Sequence, residues 1–425
     1  MNYFCLMKFI SLLLSLFICK ASFSQDKAYV KNIINQLTSD EMEGRGYVKD
    51  GSKKAADFIV KELNNIGVKA LNNQFLQEFY VPINKFEFDV EVIVDDTKLR
   101  PGIEYIVAPE CPAAHGSYKI IKIDSATVDN PLLFKKLSKK SNRNKMFLVD
   151  KAELKNTIHK EQLSWILNNG MNSKGLVYIE DKLTWSASQR VEKYVEIYIK
   201  RGIVSTYLKE ITFNIESEFV NGYPLNNVIG KIQGAEKPDS FIVFTAHYDH
   251  LGKMGREAIF PGANDNAGGV AMLLDLAKYY ILNKPKCSVI FIFFAGEELG
   301  LTGSNYFVEK PTFNLNNIKF LINLDLVTTG EKGVTVVNAT SHAKQFDTLV
   351  YINKVMEYLP IINPRSNAAN SDHYPFTLKK IPAFFFYLLG DYPYYHDVND
   401  TYDKIKLLKY EEAFRLIKQF SNTLM

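Results

Sequence analysis

Four runs of apolar, β-branched and aromatic residues, FIVFTA, SVIFIFFAG, IKFLINL and PAFFFYLLG, each lead to an imidazole or a carboxylate: His247, Glu297–Glu298, Asp325 and His396. Continuous hydrophobic runs of this length mark strands buried on both faces, which is the environment of a parallel sheet. In open α/β sheets, ligands bind in the crevice beyond the carboxyl ends of the strands. The run ends, with Asp249 and Asp265 from the segment after the first strand, therefore converge on one rim. Imidazole nitrogens and carboxylate oxygens are the donors that hold zinc. From residue 241 onward strands alternate with helical patterns, which argues for an α/β fold with a mixed, largely parallel sheet flanked by helices.

With 425 residues the chain exceeds one average domain, so a main domain plus an insertion is the expectation. Residues 1–24 read as a signal peptide. Lys8 precedes the apolar stretch Phe9 to Ile18, and Ser22 and Ser24 bracket a cleavage site before Gln25. That stretch is shorter than the ~20 residues a spanning helix needs, so export to the periplasm or the outside is expected, with no stable membrane association afterwards. Removing residues 1–24 removes Lys8 and Lys20 and no acid, which lowers the net charge from +4 to +2. So small a balance excludes nucleic-acid binding by bulk charge. The basic run Lys135 to Lys145 reads as a solvated helix face or loop. Export permits a bridge between Cys111 and Cys287, and a buried free Cys287 is the alternative.

Residues 25–84 open the main domain. SKKAADFIVKELNNIG has helical spacing, with Gly67 placed as a C-terminal cap. Residues 85–215 change texture: FDVEVIV, KMFLVD, GLVYIE and VEIYIKRGIV alternate with polar connections, which reads as a smaller, β-rich inserted domain. NNVIGKIQG then returns the chain to the main domain, assigned here to 216–425. Helices are expected after Asp265, in the 300s, near 342–358 and near 404–420. Gly268 and Gly269 keep the first of these small at its start, so backbone can approach the site.

His247 and Asp249, two apart in extended chain, share a side. The imidazole can ligate while the acid fixes its ring, as partners of metal-bound histidines usually do. Adjacent acids after a buried strand repel one another unless a cation or proton relieves them; Glu298 is read as a ligand and Glu297 as a general base. Asp265 can bridge two cations through its two oxygens, or simply cap a helix. For the last ligand His396 and His373 compete, and residue type alone leaves both open. His115, His159, His250 and His342 read as structural or solvent-facing.

The strings HYDHLG, PGANDNAGG, FAGEELGLTGS, NLDLV, SDHYPF and YYHDVNDTYD, in this order and spacing, resemble the M28 family of zinc aminopeptidases, as do LTSDEMEGRG and NNVIGKIQG. The resemblance covers roughly 26–80 and 220–425. It implies a zinc-peptidase, phosphorylase-like fold and two Zn2+ ions bridged by Asp265. Glu298 and His396 would hold one ion, and His247 and Asp325 the other, which decides against His373. Asp249 would orient His247, and Glu297 would be the base. Tyr395 is either an oxyanion donor or a packing residue. The partners implied are peptides with a free N-terminus. The segment 85–215, with ILNNGMNSKGLVYIE at its centre, resembles a diverged protease-associated domain. The chain departs from many family members at Asn264, Gly268, Leu326 and Thr328, and none of these removes a ligand. A rival on the same scaffold is a glutaminyl-cyclase-like acyltransferase, but Tyr395 before His396 and LGLTGSNYF directly after Glu298 favour hydrolysis. A non-catalytic binding module is disfavoured because all five ligands and the base are present.

Overall fold

A computed structural model describes residues 26–425 apart from Thr206. The expected signal segment 1–24 lies outside the described residues. Among them, no helix is long and apolar enough to cross a membrane.

The main sheet is built on β1 (Leu76–Lys85), β2 (Glu218–Ile232), β3 (Lys237–His247), β4 (Cys287–Phe294), β5 (Ile318–Leu324), β6 (Gly333–Val337) and β7 (Ala383–Leu389). Its order is β2-β4-β3-β5-β7-β6. Lys69–Ala70 and β1 pair along the β2 edge, and Ile362–Pro364 lies outside β6. The inner strands β4, β3, β5 and β7 are parallel; β2 and β6 run antiparallel to their inner neighbours. Every residue of β4 is buried, as its unbroken hydrophobic run requires. From β3 the chain crosses to β4 on one side and later to β5 on the other, so a crevice opens beyond the end of β3. This is the switch point at which such sheets bind ligands.

Helix α1 (Gly51–Ile66) ends at Gly67, whose φ of 93° and N–H bonds to the carbonyls of Leu63 and Asn64 make it the expected cap. Helix α2 (Gly268–Leu282) follows the crevice and is buried along most of its length. A Cβ on Gly269 would lie 2.3 Å from Asn266 Oδ1 and 2.7 Å from the Leu324 carbonyl, so only glycine lets this helix start against the end of β5.

A second sheet of eight strands is built wholly from residues between 90 and 215. Its middle strands 114–123, 145–150, 175–180 and 195–200 run parallel. Helices Ser125–Asp129, Pro131–Ser138 and Lys160–Leu167 lie between them, so the segment carries crossover helices as well as the strands read from sequence. The basic run begins on the exposed Pro131–Ser138 helix. One core cluster joins this sheet to Leu251, Met254, Ala258 and Phe260 of the main domain. Cys111 and Cys287 are both buried and free.

Candidate metal centre

The site residues stand where the strands end. His247 is the last residue of β3, Glu297–Glu298 lie three and four residues beyond β4, and Asp325 directly follows β5. His396 occupies the loop after β7, at a φ of 54°. Asp265 sits in the turn before α2, where its peptide to Asn266 is cis. Asn266 fixes that turn: its Nδ2 donates to the Leu324 carbonyl at 2.9 Å, and its Oδ1 accepts from Gly269 N at 3.0 Å.

These side chains form two lobes that share Asp265. In one, His247 Nε2 lies 3.3 Å from both Asp265 Oδ1 and Asp325 Oδ1. In the other, His396 Nε2 lies 3.4 Å from Asp265 Oδ2 and 3.1 Å from Glu298 Oε2. The opposite face of each imidazole determines what it offers. His247 Nδ1 meets the backbone carbonyl of Asp249 at 3.1 Å, and His396 Nδ1 meets the carbonyl of Trp185 at 2.8 Å. A carbonyl only accepts, so both Nδ1 atoms carry hydrogen, and in the neutral rings both Nε2 lone pairs point at carboxylates. Nε2 of His247 and Oδ1 of Asp325 are buried without a hydrogen-bond partner among the described residues. Lone pairs facing carboxylates in a buried cage call for cations, and the donor set of nitrogen and oxygen fits zinc.

With protons as the only cations, the cage charges its histidines. Burial works against a charge on His396, but Glu298 and Asp265 outweigh it and raise its pKa to about 11. For His247, burial is likewise outweighed, here by the charges of Asp325 and Glu297, and its pKa rises well above normal. The adjacent acids separate. Glu297 is pushed well up by burial, with Glu298 adding to the shift against the opposing pull of His247. Burial also acts to raise Glu298, but His396 and its hydrogen bonds hold it down at about 2.

Asp249 is wholly buried, but its carboxylate stands 3.8 Å from His247 Nδ1, beyond hydrogen-bond reach. It instead accepts from Tyr47 Oη at 2.8 Å and from the backbone N–H of Glu297 at 3.2 Å. Tyr395 stacks on His396 with ring centroids 3.9 Å apart. His373 is buried against Phe385, where desolvation lowers its pKa to about 4, and it joins no candidate metal cluster among the described residues.

His250 corrects the sequence reading. It is fully buried in the site, with Nδ1 2.7 Å from Glu298 Oε1. Its position in HYDHLG was visible, but no apolar run marked it. Asp400 was also missed: it accepts from the backbone N–H of Asn264 at 2.8 Å and of Asp265 at 3.1 Å, which ties the His396 loop to the Asp265 turn. Arg45, fully buried, donates to the carbonyls of Leu37, Tyr248, Pro261, Gly262 and Asp265.

Fold and site together define an α/β protein with a two-lobed, carboxylate-bridged cage at the sheet's switch point. Residues 227–421 match the model of peptidase family M28. A probable zinc metalloprotease from Pyrenophora teres f. teres is 31% identical over 153 residues, covering 35% of this chain and 31% of the relative. A vacuolar membrane protease from Schizophyllum commune is 35% identical over 104 residues, 24% of this chain and 11% of that protein. The chain thus spans less than a third of these curated relatives. A solved zinc aminopeptidase from Bacillus subtilis is similar over 93% of both chains, with TM-score 0.67 and 19% identity. An aminopeptidase from Aneurinibacillus sp. strain AM-1 covers 94% of this chain and 93% of its own, with TM-score 0.63 and 17% identity. Both share the fold across nearly the full length.

Proposed function

We propose that this protein is an exported metallo-aminopeptidase that holds two zinc ions and removes the N-terminal residue from peptides. One observation carries the reading: two imidazoles, each with Nδ1 committed to a backbone carbonyl, aim bare Nε2 atoms at carboxylates that share Asp265. His247 and Asp325 would hold one ion, His396 and Glu298 the other, with Asp265 between them. Two zinc ions, when bound, supply a water of lowered pKa and a polarised scissile carbonyl.

The chain's own groups do the rest. Glu297 lines the cleft beside Asp265 and Asp325 and forms no hydrogen-bonded ion pair among the described residues, which leaves its carboxylate to exchange protons. Its pKa and that of Glu298 are driven apart, the pattern that separates a proton carrier from a fixed anion. Glu297 takes the proton of the attacking water and returns it to the leaving amine. Asp249 holds the Glu297 backbone in place through its N–H. Tyr395, nearly half exposed, lines the same cleft, and its hydroxyl stays protonated as a donor to the developing oxyanion.

The test is a panel of aminoacyl-p-nitroanilides and N-terminal-Gln peptides with purified protein, before and after chelation. Free amino acid should be released, disappear on chelation and return with zinc. Glu297→Gln should lower kcat by about 10²–10⁴-fold while binding the same zinc. Release unchanged in that variant would remove Glu297 as base, and ammonia with pyroglutamate would identify a cyclase instead.

A further inference from the structure

The cleft in front of the cage, about 310 Å³, is lined by acids and by one arginine, which the strand order keeps apart: Asp325 follows β5, and Arg365 follows the edge strand beyond β6. Asp265, Glu297 and Asp325 line it on one side, and Arg365 lines it on the other. Between them stand Phe385 and Tyr387 of β7.

Arg365 is built into this wall. It follows the edge strand Ile362–Pro364, its N–H bonds the Val336 carbonyl at 2.9 Å, and its carbonyl accepts from Ala339 N at 3.1 Å. Its Nη1 donates to Tyr387 Oη at 3.2 Å, which holds the guanidinium against the aromatic wall. No Asp or Glu among the described residues forms an ion pair with it. Elsewhere Arg100, Arg201 and Arg256 pair with Glu104, Asp150 and Asp89, whereas Arg365, also exposed, has no such partner among the described residues. A guanidinium presents a planar fork of donors that matches a carboxylate. This one lines the cleft, and among the described residues its side chain donates only to Tyr387.

We propose that Arg365, positioned by Tyr387, receives a carboxylate of the substrate, so that the cleft selects acidic peptides: the N-terminal amine faces the acidic cage and the carboxylate faces Arg365. The inference rests on the aminopeptidase reading of the same site and adds its substrate class. The carboxylate has two sources, the side chain of an N-terminal Asp or Glu, or the C-terminus of a dipeptide.

The experiment separates these sources. Rates are compared for L-Glu-p-nitroanilide against L-Leu-p-nitroanilide, and for Ala-Ala against Ala-Ala-amide, in the wild type, Arg365→Met and Tyr387→Phe. Charged hydrogen bonds are worth about 10–100-fold, and an exposed arginine belongs at the lower end. Arg365→Met should therefore lose about 10-fold in kcat/KM on the carboxylate-bearing member of one pair and change little on its neutral counterpart. Loss in the first pair assigns the side chain, and loss in the second assigns the C-terminus. Tyr387→Phe should give a smaller loss of the same selectivity. Calorimetric binding of L-glutamate and L-leucine to zinc-loaded Glu297→Gln protein, with and without Arg365→Met, gives a readout independent of turnover. Equal losses on charged and neutral substrates, or L-glutamate affinity unmoved by Arg365→Met together with unchanged selectivity, would overturn the proposal. No turnover of any substrate, with L-glutamate still bound through Arg365, would instead overturn the peptidase reading and leave this one standing.

Discussion

The carbonyl oxygen of Trp185 accepts a hydrogen bond from Nδ1 of His396 at 2.8 Å, although 211 positions separate them in the chain. The contact is reciprocal, since Trp185 N–H donates to the His396 carbonyl at 3.2 Å. Trp185 itself is anchored by stacking on Phe260, with centroids 4.7 Å apart, and by its Nε1 bond to the Val107 carbonyl at 2.9 Å. The 85–215 segment thus orients a residue of the cage. Truncating Trp185 to Ala should cost about 3–5 kcal/mol by leaving a cavity. It should also weaken zinc binding, up to about 10-fold, because the carbonyl that orients His396 remains but loses the side-chain anchor that holds it. Trp185→Phe keeps the stacking and should lose far less of both. Thermal unfolding and competition with a chromophoric chelator measure the two quantities. Wild-type zinc affinity in Trp185→Ala would show that the indole anchor plays no part in holding the carbonyl that orients His396.

His250 should behave as part of the cage although no apolar run leads directly to it. Its Nδ1 holds Glu298 Oε1 while His396 stands at Oε2, so Glu298 is gripped from both sides. Replacing His250 with Ala should lower zinc affinity about 10–100-fold. His115→Ala, at an exposed position, should leave it unchanged. Equal affinities in the two variants would return His250 to a packing role.

The uneven legibility of these residues has a physical cause. A strand buried on both faces needs an unbroken apolar run, so its end can be read from sequence, and any acid or imidazole there stands out. That made His247, Glu297, Glu298 and Asp325 visible. His250, Asp400 and Arg45 sit in polar, turn-rich stretches where solvated residues of the same types are common. Only the fold shows that they are buried. The Trp185–His396 bond uses a backbone carbonyl, which every residue has, so no side-chain pattern could reveal it. The short helices of the 85–215 segment were missed for a related reason: at five to eight residues they carry too few turns for a helical period to emerge.

Metal removal should make stability depend on pH in a set direction. In the metal-free protein Asp372 is raised to about 7, chiefly by burial, and Glu297 is also raised by burial. His396 is raised to about 11, since its carboxylate neighbours overcome burial. Each group binds its proton more tightly folded than unfolded, so each contributes stability at low pH that is lost as pH rises through its folded value. Glu298, held at about 2, and Asp265, also lowered, act in the opposite sense only at strongly acid pH. The Tm of chelated protein should therefore fall steadily from pH 5 to 8.5. Zinc at a thousand times its Kd should restore about 4 kcal/mol, a gain of about 5 °C or more, and more at the alkaline end. Melting curves with and without chelator across that range provide the check. A metal-free Tm that rises with pH would contradict the assigned charges.

Arg45 offers the sharpest distinction between charge and geometry. Its guanidinium is wholly buried and bonds five backbone carbonyls, two of them at Pro261 and Gly262 ahead of the Asp265 turn and one at Asp265 itself. Burial lowers its pKa to about 10, with Asp400 and Asp265 opposing the fall, so it stays charged at neutral pH. If the positive charge near the acids were what mattered, Arg45→Lys would restore most of the function. A lysine ammonium, however, is a compact point donor with three hydrogens and no planar fork, and it cannot meet carbonyls spread over three segments. Arg45→Lys and Arg45→Met should therefore both destabilise strongly, by about 3–5 kcal/mol, as expected when a buried charged group loses its partners. Denaturant midpoints with unchanged m-values would report that loss. Zinc affinity should fall in both variants as well, because the backbone that presents Asp265 loses its tether. A lysine variant with wild-type stability and affinity would mean that the charge, and not the fork of donors, holds the turn.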